Sequence, residues 1–465
     1  MTKTVKESVV EKVMEKADRC FVNGQYSKAV EFYTRAINLN KAGEEVPDKL
    51  KARAHCNLGI IYSIQGEMQK AEQEYLIALE LNKKLDRKEG LSNIYCNLGV
   101  IYTGWGELAK AEEMYKQSLE IDEGLGNMDG VAGICINLGN LYYIQGNLEA
   151  AEDMFRKALI ITKHLSNKEN LPIIFSNLGN INYFLGNMET AEKIFRETVE
   201  ISKLLMNNEA VALNYVNLCS LYHKQGKLKW SKQLYDMAMS VCQNFKMKEA
   251  EANALSIMGE VLKTEGDYIG ARKMFSRALE IDRRLDRKIG ISDDLCSLAS
   301  VDIREGTLDE VEDNLKQALE INEKLENHSG IAENHYEYGN FYLAKGEYKE
   351  AEDSYKTAMQ IAEHIGDKIR IAKLFSKLGE LFVASGSFEQ ARIYINKSFE
   401  TNGEIGYKEM IADTCKNYGD LCGKTGENEK AREYYDKALL IYRELSSGDR
   451  AGLVTELIAD LERAG

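Results

Sequence analysis

Ten glycines in this chain fall on one spacing. Gly66, Gly106, Gly146, Gly186, Gly226, Gly266, Gly306, Gly346, Gly386 and Gly426 are each 40 residues apart, and Gly24 lies 42 before Gly66, in an interval that contains Pro47. A fixed period of this length marks a chain built from stacked copies of one supersecondary unit. Other positions keep phase with the glycine. Seven residues before it comes a Leu-Gly pair, as in Leu58-Gly59, Leu98-Gly99, Leu138-Gly139, Leu178-Gly179 and Leu378-Gly379. Five residues after it stands alanine (Ala29, Ala71, Ala111, Ala151 and others), and nine after it an aromatic (Tyr33, Tyr75, Phe155, Phe195, Tyr435). Alanine returns twelve after it, at Ala36, Ala78, Ala158 and Ala438 among others.

Within each half of the repeat, apolar residues recur at three and four, the period of an amphipathic helix. The glycine between the halves lets the backbone turn where a Cβ would crowd it. Small residues allow two helices to approach, and the aromatic fills the space between neighbouring pairs. One pair cannot bury both its faces, whereas a stack of pairs does, so stability is a sum of nearest-neighbour interfaces. Only two prolines, Pro47 and Pro172, interrupt 465 residues, which favours an almost wholly helical chain with short connections.

The run Asn137–Leu165, NLGNLYYIQGNLEAAEDMFRKALIITKHL, closely resembles the tetratricopeptide repeat, with Leu, Gly, Tyr, Gly, Ala, Phe and Ala standing where that motif places them. The 40-residue period resembles the subgroup of LGN/Pins, kinesin light chain and bacterial Rap-type proteins, with the extra length in a longer second helix. The resemblance runs from about residue 10 to about residue 450. It implies an all-α fold: a right-handed α-solenoid superhelix of about eleven helix hairpins plus a C-terminal capping helix. Residues 1–50 would form an N-terminal capping repeat, residues 51–450 repeats two to eleven, and residues 451–465 the capping helix, with Leu453, Leu457, Ile458 and Leu461 on its apolar face. The first repeat shows Lys16-Ala17 in place of Leu-Gly. Repeats six to eight depart most: Cys219 and Ala299 replace the small glycine, Ser231 and Val311 the alanine, and Asp302 an aromatic. A local change of curvature, a partner-specific feature and plain sequence drift all fit; drift is the expectation.

Charge and cysteine usage narrow the partners. The formal net charge of −14 argues against nucleic acid, whose phosphates call for a basic surface. Nine scattered cysteines with no CxxC spacing suggest neither a zinc site nor a redox dithiol, and suit a reducing cytosol. The N-terminus MTKTVKESVVEKVMEK lacks the apolar core of a signal peptide, and no stretch reaches the roughly 20 apolar residues of a spanning helix. A cytoplasmic protein without membrane insertion is expected.

The resemblance implies that the first helix of each pair lines the concave side. Asn57, Asn97, Asn137, Asn177, Asn217 and Asn417 then recur there two residues before the small residue, with Asn140, Asn180 and Asn340 one residue after it and Tyr143, Tyr183 and Phe184 alongside. An asparagine amide offers donors and an acceptor, so such a row can pair with the backbone of an extended peptide. The candidate peptide-binding residues are therefore Asn57, Asn97, Asn137, Asn140, Tyr143, Asn177, Asn180, Tyr183, Phe184 and Asn217. The same asparagines could instead serve helix packing or solvation. Farther along, Glu260, Glu337, Glu380 and Asp420 alternate with Lys263, Lys377, Lys416 and Lys424. They could meet a charged partner segment; a solvated polar face is the expectation.

Catalytic signals are missing. Gly419–Thr425, GDLCGKT, is one residue too short before its GK pair for a phosphate-binding loop. The six histidines form no HExxH or CxxC-linked set, so neither a metal nor another cofactor is expected, and the serines sit in no GxSxG elbow. The expected role is a scaffold or adaptor, not an enzyme, that holds an extended peptide or helix of a partner protein in the concave groove. Two alternatives remain: a ligand-gated regulator of the Rap type, against which the start of the first repeat near residue 10 counts, and an assembly platform that binds through its convex face or edges.

Overall fold

A computed structural model describes residues 9–39, 46–165 and 168–464 of the protein. These residues hold twenty-three α-helices and no strand. In chain order they form eleven helix hairpins, from Val9–Val22 with Tyr26–Ile37 to Lys408–Lys424 with Asn428–Glu444, followed by the helix Gly448–Ala464. The chain divides into two compact units, a smaller one over Met1–Leu141 and Ile160–Ser166 and a larger one over Tyr142–Leu159 and Asn167–Gly465.

Most hairpins close by the same chemistry, with Leu315 and Ile395 standing in for the aromatic in repeats eight and ten. The period-marking glycine ends the first helix in the left-handed region, at φ +78° for Gly66 and +85° for Gly266, where a Cβ costs energy. Beside it, the small residue of the first helix receives the aromatic of the second. A Cβ on Gly59 would stand 2.6 Å from the Tyr75 ring, and one on Gly419 2.5 Å from Tyr435. The rings are thereby sealed: Tyr33, Tyr75, Phe155, Phe195, Phe275 and Tyr355 are fully buried. Each such burial contributes about 2–3 kcal/mol.

The irregular repeats keep this packing by local exchange. Cys219 and Ser231 replace the glycine–alanine contact together, with Sγ and Oγ 3.1 Å apart and both side chains buried. In repeat eight the second helix, Val311–Lys324, starts later after its glycine than its counterparts, and Asp302 turns outward to an ion pair with Arg272 at 2.5 Å. The last helix also departs from expectation. Its buried face is Val454 and Ile458 with Leu457 and Leu461 beside them, packed on Tyr435, Leu439 and Tyr442, whereas Leu453 is 48 % exposed. The seam follows spacings of three and four from Val454, one residue out of phase with Leu453.

In the larger unit the stack comes round onto itself. The hairpin turns of repeats four to six meet the ends of second helices five repeats later: Gly146 faces Ile365, Gly186 faces Ile405, and Gly226 faces Leu445 and Lys408. Ile369, Ala372, Ile405, Tyr407 and Met410 share one apolar core with Met188, Tyr215, Leu221 and Tyr222. Polar contacts tie the same seam. The Lys224 ammonium donates to the Tyr407 hydroxyl at 2.9 Å, and the Tyr268 hydroxyl donates to Asp449 at 2.5 Å. A trough open along its whole length is therefore not what this unit presents; the seam joins its edges around a half-open cavity.

Candidate functional site

That cavity has a volume of about 850 Å³ and draws its walls from first helices of repeats four to eleven. Six cations (Lys224, Lys263, Arg304, Arg370, Lys373 and Lys377) and six carboxylates (Glu260, Asp293, Glu333, Glu337, Glu380 and Glu409) line it. Tyr143, Ile144 and Phe184 give it an apolar end, with the Tyr143 and Phe184 rings edge to face at 5.8 Å.

Lys263, Glu337 and Glu409 are buried and most of the others half-buried, which is tolerable because most are paired. Lys263 lies 2.8 Å from Glu260, Lys377 3.0 Å from Glu380, and Arg370 3.1 Å from Glu333. Glu409 is the hub. Arg304 reaches it at 3.0 Å and Arg450 at 2.5 Å, and Thr264 donates to its second oxygen at 3.4 Å. Burial disfavours its charge, but Arg304, with the neighbouring Lys224 and Lys263, overcomes that and holds the carboxyl at about 2. Glu337 takes a hydrogen bond from Asn340 at 3.0 Å.

Three groups show the cost of the enclosed setting. Burial, with Glu333 adding repulsion, pushes Asp293 up to about 7, although its side chain is open to the cavity. Burial pulls Lys224 down to about 8, aided by Lys373. His223, behind the wall and bonded to Thr264 at 2.8 Å, is drawn by burial to about 3 and stays neutral. A group brought into this cavity meets charges of both signs at fixed positions, in a medium where unpaired charge is expensive.

The residues singled out from sequence are divided between the units. Asn57, Asn97, Asn137 and Asn140 lie in the smaller unit; Tyr143, Asn177, Asn180, Tyr183, Phe184 and Asn217 lie in the larger. Asn57 and Asn97 line a cleft of about 450 Å³ with Arg53, Arg87 and Asn93. Asn57 also donates to the Tyr33 hydroxyl at 2.8 Å, and Asn137 to the Cys96 sulfur at 3.4 Å. Tyr143 and Phe184 reach the cavity of the larger unit; Tyr183 packs on Phe184 and lies 3.3 Å from the Ser220 hydroxyl. Asn140, Asn177, Asn180 and Asn217 are half-buried and are not part of either lining. Asn417 is buried and donates to the Ser376 carbonyl at 3.0 Å, which is helix packing.

The charged series needs correction. Glu260, Lys263, Glu337, Lys377 and Glu380 do not form a solvated face; they line the cavity, and Lys263 and Glu337 are buried. Arg304, Glu333, Arg370, Lys373 and Glu409 lie on the same wall, outside that series. A signal was present for two of them: six residues before the small residue, repeats eight to eleven carry the charged Asp293, Glu333, Lys373 and Asp413, where repeats three to six have Asn93, Gly133, Ile173 and Leu213. Among the described residues no group of three or more His, Cys, Asp and Glu is arranged to hold a metal. No helix there is long and apolar enough to cross a membrane.

Comparison with known proteins agrees with the fold. A tetratricopeptide repeat model matches residues 50–124, 132–203, 209–284, 250–324, 294–363 and 330–402, and a second one matches residues 412–445. No curated protein sequence matches significantly. Among solved structures, the apo form of RapI is similar with a TM-score of 0.51 at 17 % identity, over 60 % of this chain and 99 % of that one. The Rap conjugation gene regulator of the plasmid pLS20, in complex with the Phr* peptide, is similar with a TM-score of 0.51 at 14 % identity, over 68 % of this chain and 96 % of that one. At such identities the likeness concerns the fold. With repeat models matching most of its length, this chain belongs to the tetratricopeptide repeat family.

Proposed function

We propose that the larger unit is a receptor for a short peptide bearing charges of both signs, held inside the cavity, and that the peptide regulates the protein by holding the seam closed. The observation that carries this reading is the closure itself: a stack joined turn to turn over about 850 Å³ lined by six cations and six carboxylates. That volume suits a ligand of a few residues and is too small for a folded partner or a long extended segment. Phe184 and Lys224 stand on one side of the seam and Tyr407 and Glu409 on the other, all on the cavity wall. An occupant touching both sides stabilises the closed form in proportion to its concentration over its Kd. The peptide-bound Rap regulator of similar fold agrees with this reading. The chain is then a binding protein and not an enzyme, and its nine free cysteines fit a cytoplasmic setting.

Asp293 gives the test. A cationic group of the peptide seated there binds ionised Asp293, so affinity rises as pH passes upward through about 7. Random peptides of five to seven residues would be panned against the purified chain and the selected ones titrated by calorimetry. Asp293→Asn should weaken those carrying Lys or Arg about tenfold and flatten their pH dependence. Selected peptides indifferent to Asp293, Lys373 and Phe184 substitutions would overturn the reading.

The smaller unit supports a second, separate reading. Its cleft presents the amides of Asn57, Asn93 and Asn97 beside Arg53 and Arg87, which suits the backbone of an extended segment of a partner protein. Asn57→Ala with Asn97→Ala should weaken capture of such a segment and leave the Asp293-dependent peptides unaffected.

A further inference from the structure

One periodic feature lies outside the peptide site. The second helices of repeats two to eleven end on, or one residue before, an apolar residue at the 40-residue period; in repeats five to eleven this row is Leu205, Phe245, Leu285, Leu325, Ile365, Ile405 and Leu445. Three members of the row show what it does. Ile365, Ile405 and Leu445 are 5 %, 6 % and 1 % exposed because each sits on a glycine turn of an earlier repeat. The fit depends on the missing side chain: a Cβ on Gly186 would stand 2.9 Å from Ile405, and one on Gly226 2.9 Å from Leu445. Lysine follows three positions after Phe245, Leu285, Ile365 and Ile405, and Lys408 packs its methylenes 3.1 Å from that same point at Gly226.

Both halves of this joint recur unpartnered in the same unit. Leu205, Phe245 and Leu285 are 38 %, 53 % and 45 % exposed, flanked by Leu204 at 83 % and Met206 at 85 %, and Lys248 and Lys288 repeat the lysine. On the other edge, Gly306, Gly346, Gly386 and Gly426 keep the same backbone, at φ +77° to +81°, with nothing within 4 Å of where a Cβ would be. A row of three apolar residues thus lies free at one edge and a row of four empty turns at the other, each at the spacing of the joint the chain already makes with itself.

We propose that a second copy of this chain occupies these edges: Leu205, Phe245 and Leu285 of one molecule seat on consecutive glycine turns among Gly306–Gly426 of the next. The surfaces that meet are different ones, so the contact is head-to-tail and continues from molecule to molecule. This inference is independent of what the cavity binds.

Light scattering across a concentration series tests it on the full chain. The wild type should grow in mass with concentration and pass beyond a dimer. Phe245→Asp with Leu285→Asp should weaken association about 100-fold or more. Gly346→Asn with Gly386→Asn should do the same at the opposite edge; asparagine tolerates the left-handed region and meets nothing in its own chain there, so its circular dichroism and Tm should stay near wild type. The two double variants are complementary, since one keeps its turns and the other its apolar row. Mixed, they should form a 1:1 dimer that grows no further. A wild type that remains monomeric at every concentration, association that survives both double variants, or a mixture that stays monomeric would each overturn the proposal.

Discussion

Gly186 and Gly386 occupy the same place in their repeats, with φ of +79° and +80°, and close the same kind of hairpin. Gly186 is covered by Ile405, whereas Gly386 has nothing within 4 Å of its missing side chain. One belongs to the seam that closes the larger unit over its cavity, the other to a free edge. Locally identical chemistry therefore does two jobs, and the difference comes from how far along the stack the residue stands. A glycine required for a turn is required once; a glycine required for a turn and for the neighbour above it is required twice.

The largest break of that comparison should come at Glu409, where an arginine of repeat eight and one of the last helix converge on one buried carboxylate. Glu409→Ala leaves Arg304 and Arg450 without their partner and should cost about 3–5 kcal/mol in urea unfolding. Glu305→Ala, on the free edge, removes only a half-exposed pair with Arg272 and should cost less than about 1 kcal/mol. If the two variants proved equally stable, the buried Glu409 cluster would contribute nothing.

Next in size is the glycine pair itself. Gly186→Asn drives a side chain into Ile405 and should destabilise by about 1–3 kcal/mol, while Gly386→Asn should cost only a few tenths. Shortening the opposing residue sharpens the point: in a double-mutant cycle, Ile405→Ala should relieve part of the Gly186→Asn penalty and none of the Gly386→Asn penalty.

A smaller effect is expected from pH. Burial pushes Asp293 up to about 7 and Asp294 to about 8, and burial with Glu409 pushes Asp413 to about 6. A carboxyl raised in the folded state contributes stability that is present below its ordinary range and lost as pH rises through the folded value. His223 works oppositely, losing stability as pH falls from its ordinary range toward about 3. Lys224, drawn down to about 8, works against the carboxyls toward pH 8, but between pH 6 and pH 8 the three carboxyls outweigh it, so Tm should be higher at pH 6. Asp294→Asn should shrink the difference, because that buried side chain keeps its Ser256 hydrogen bond at 2.7 Å and no longer ionises. The free-edge ion pairs should show no such trend.

The least change should follow Tyr268→Phe. Its hydroxyl meets Asp449 at the exposed margin of the seam, so the loss should stay below about 1 kcal/mol.

The hairpin was fully legible in the chain because its causes are local. Glycine, small residue and aromatic lie within sixteen residues of one another, and their spacing carries the geometry of the turn and of the contact between its two helices. The closure was not legible. It depends on small rotations summed over five repeats, and no local spacing records where that sum brings Ile405. The cavity was hidden for the same reason: Glu333 and Glu409 look like solvated charges on amphipathic helices until the stack turns back and encloses them. The asparagine series illustrates the converse. Its spacing is regular, yet Asn417 serves helix packing, Asn57 lines a cleft, and neither use can be told from the pattern.

A photo-reactive phenylalanine analogue at Tyr407 tests the closed seam most directly, since that ring lies against Lys224, 183 residues earlier. Irradiation of the purified chain, followed by mass spectrometry, should yield intrachain links to the helix Asn208–Lys224. Links confined to the adjoining repeats, residues 366–448, would mean that the stack does not close on itself.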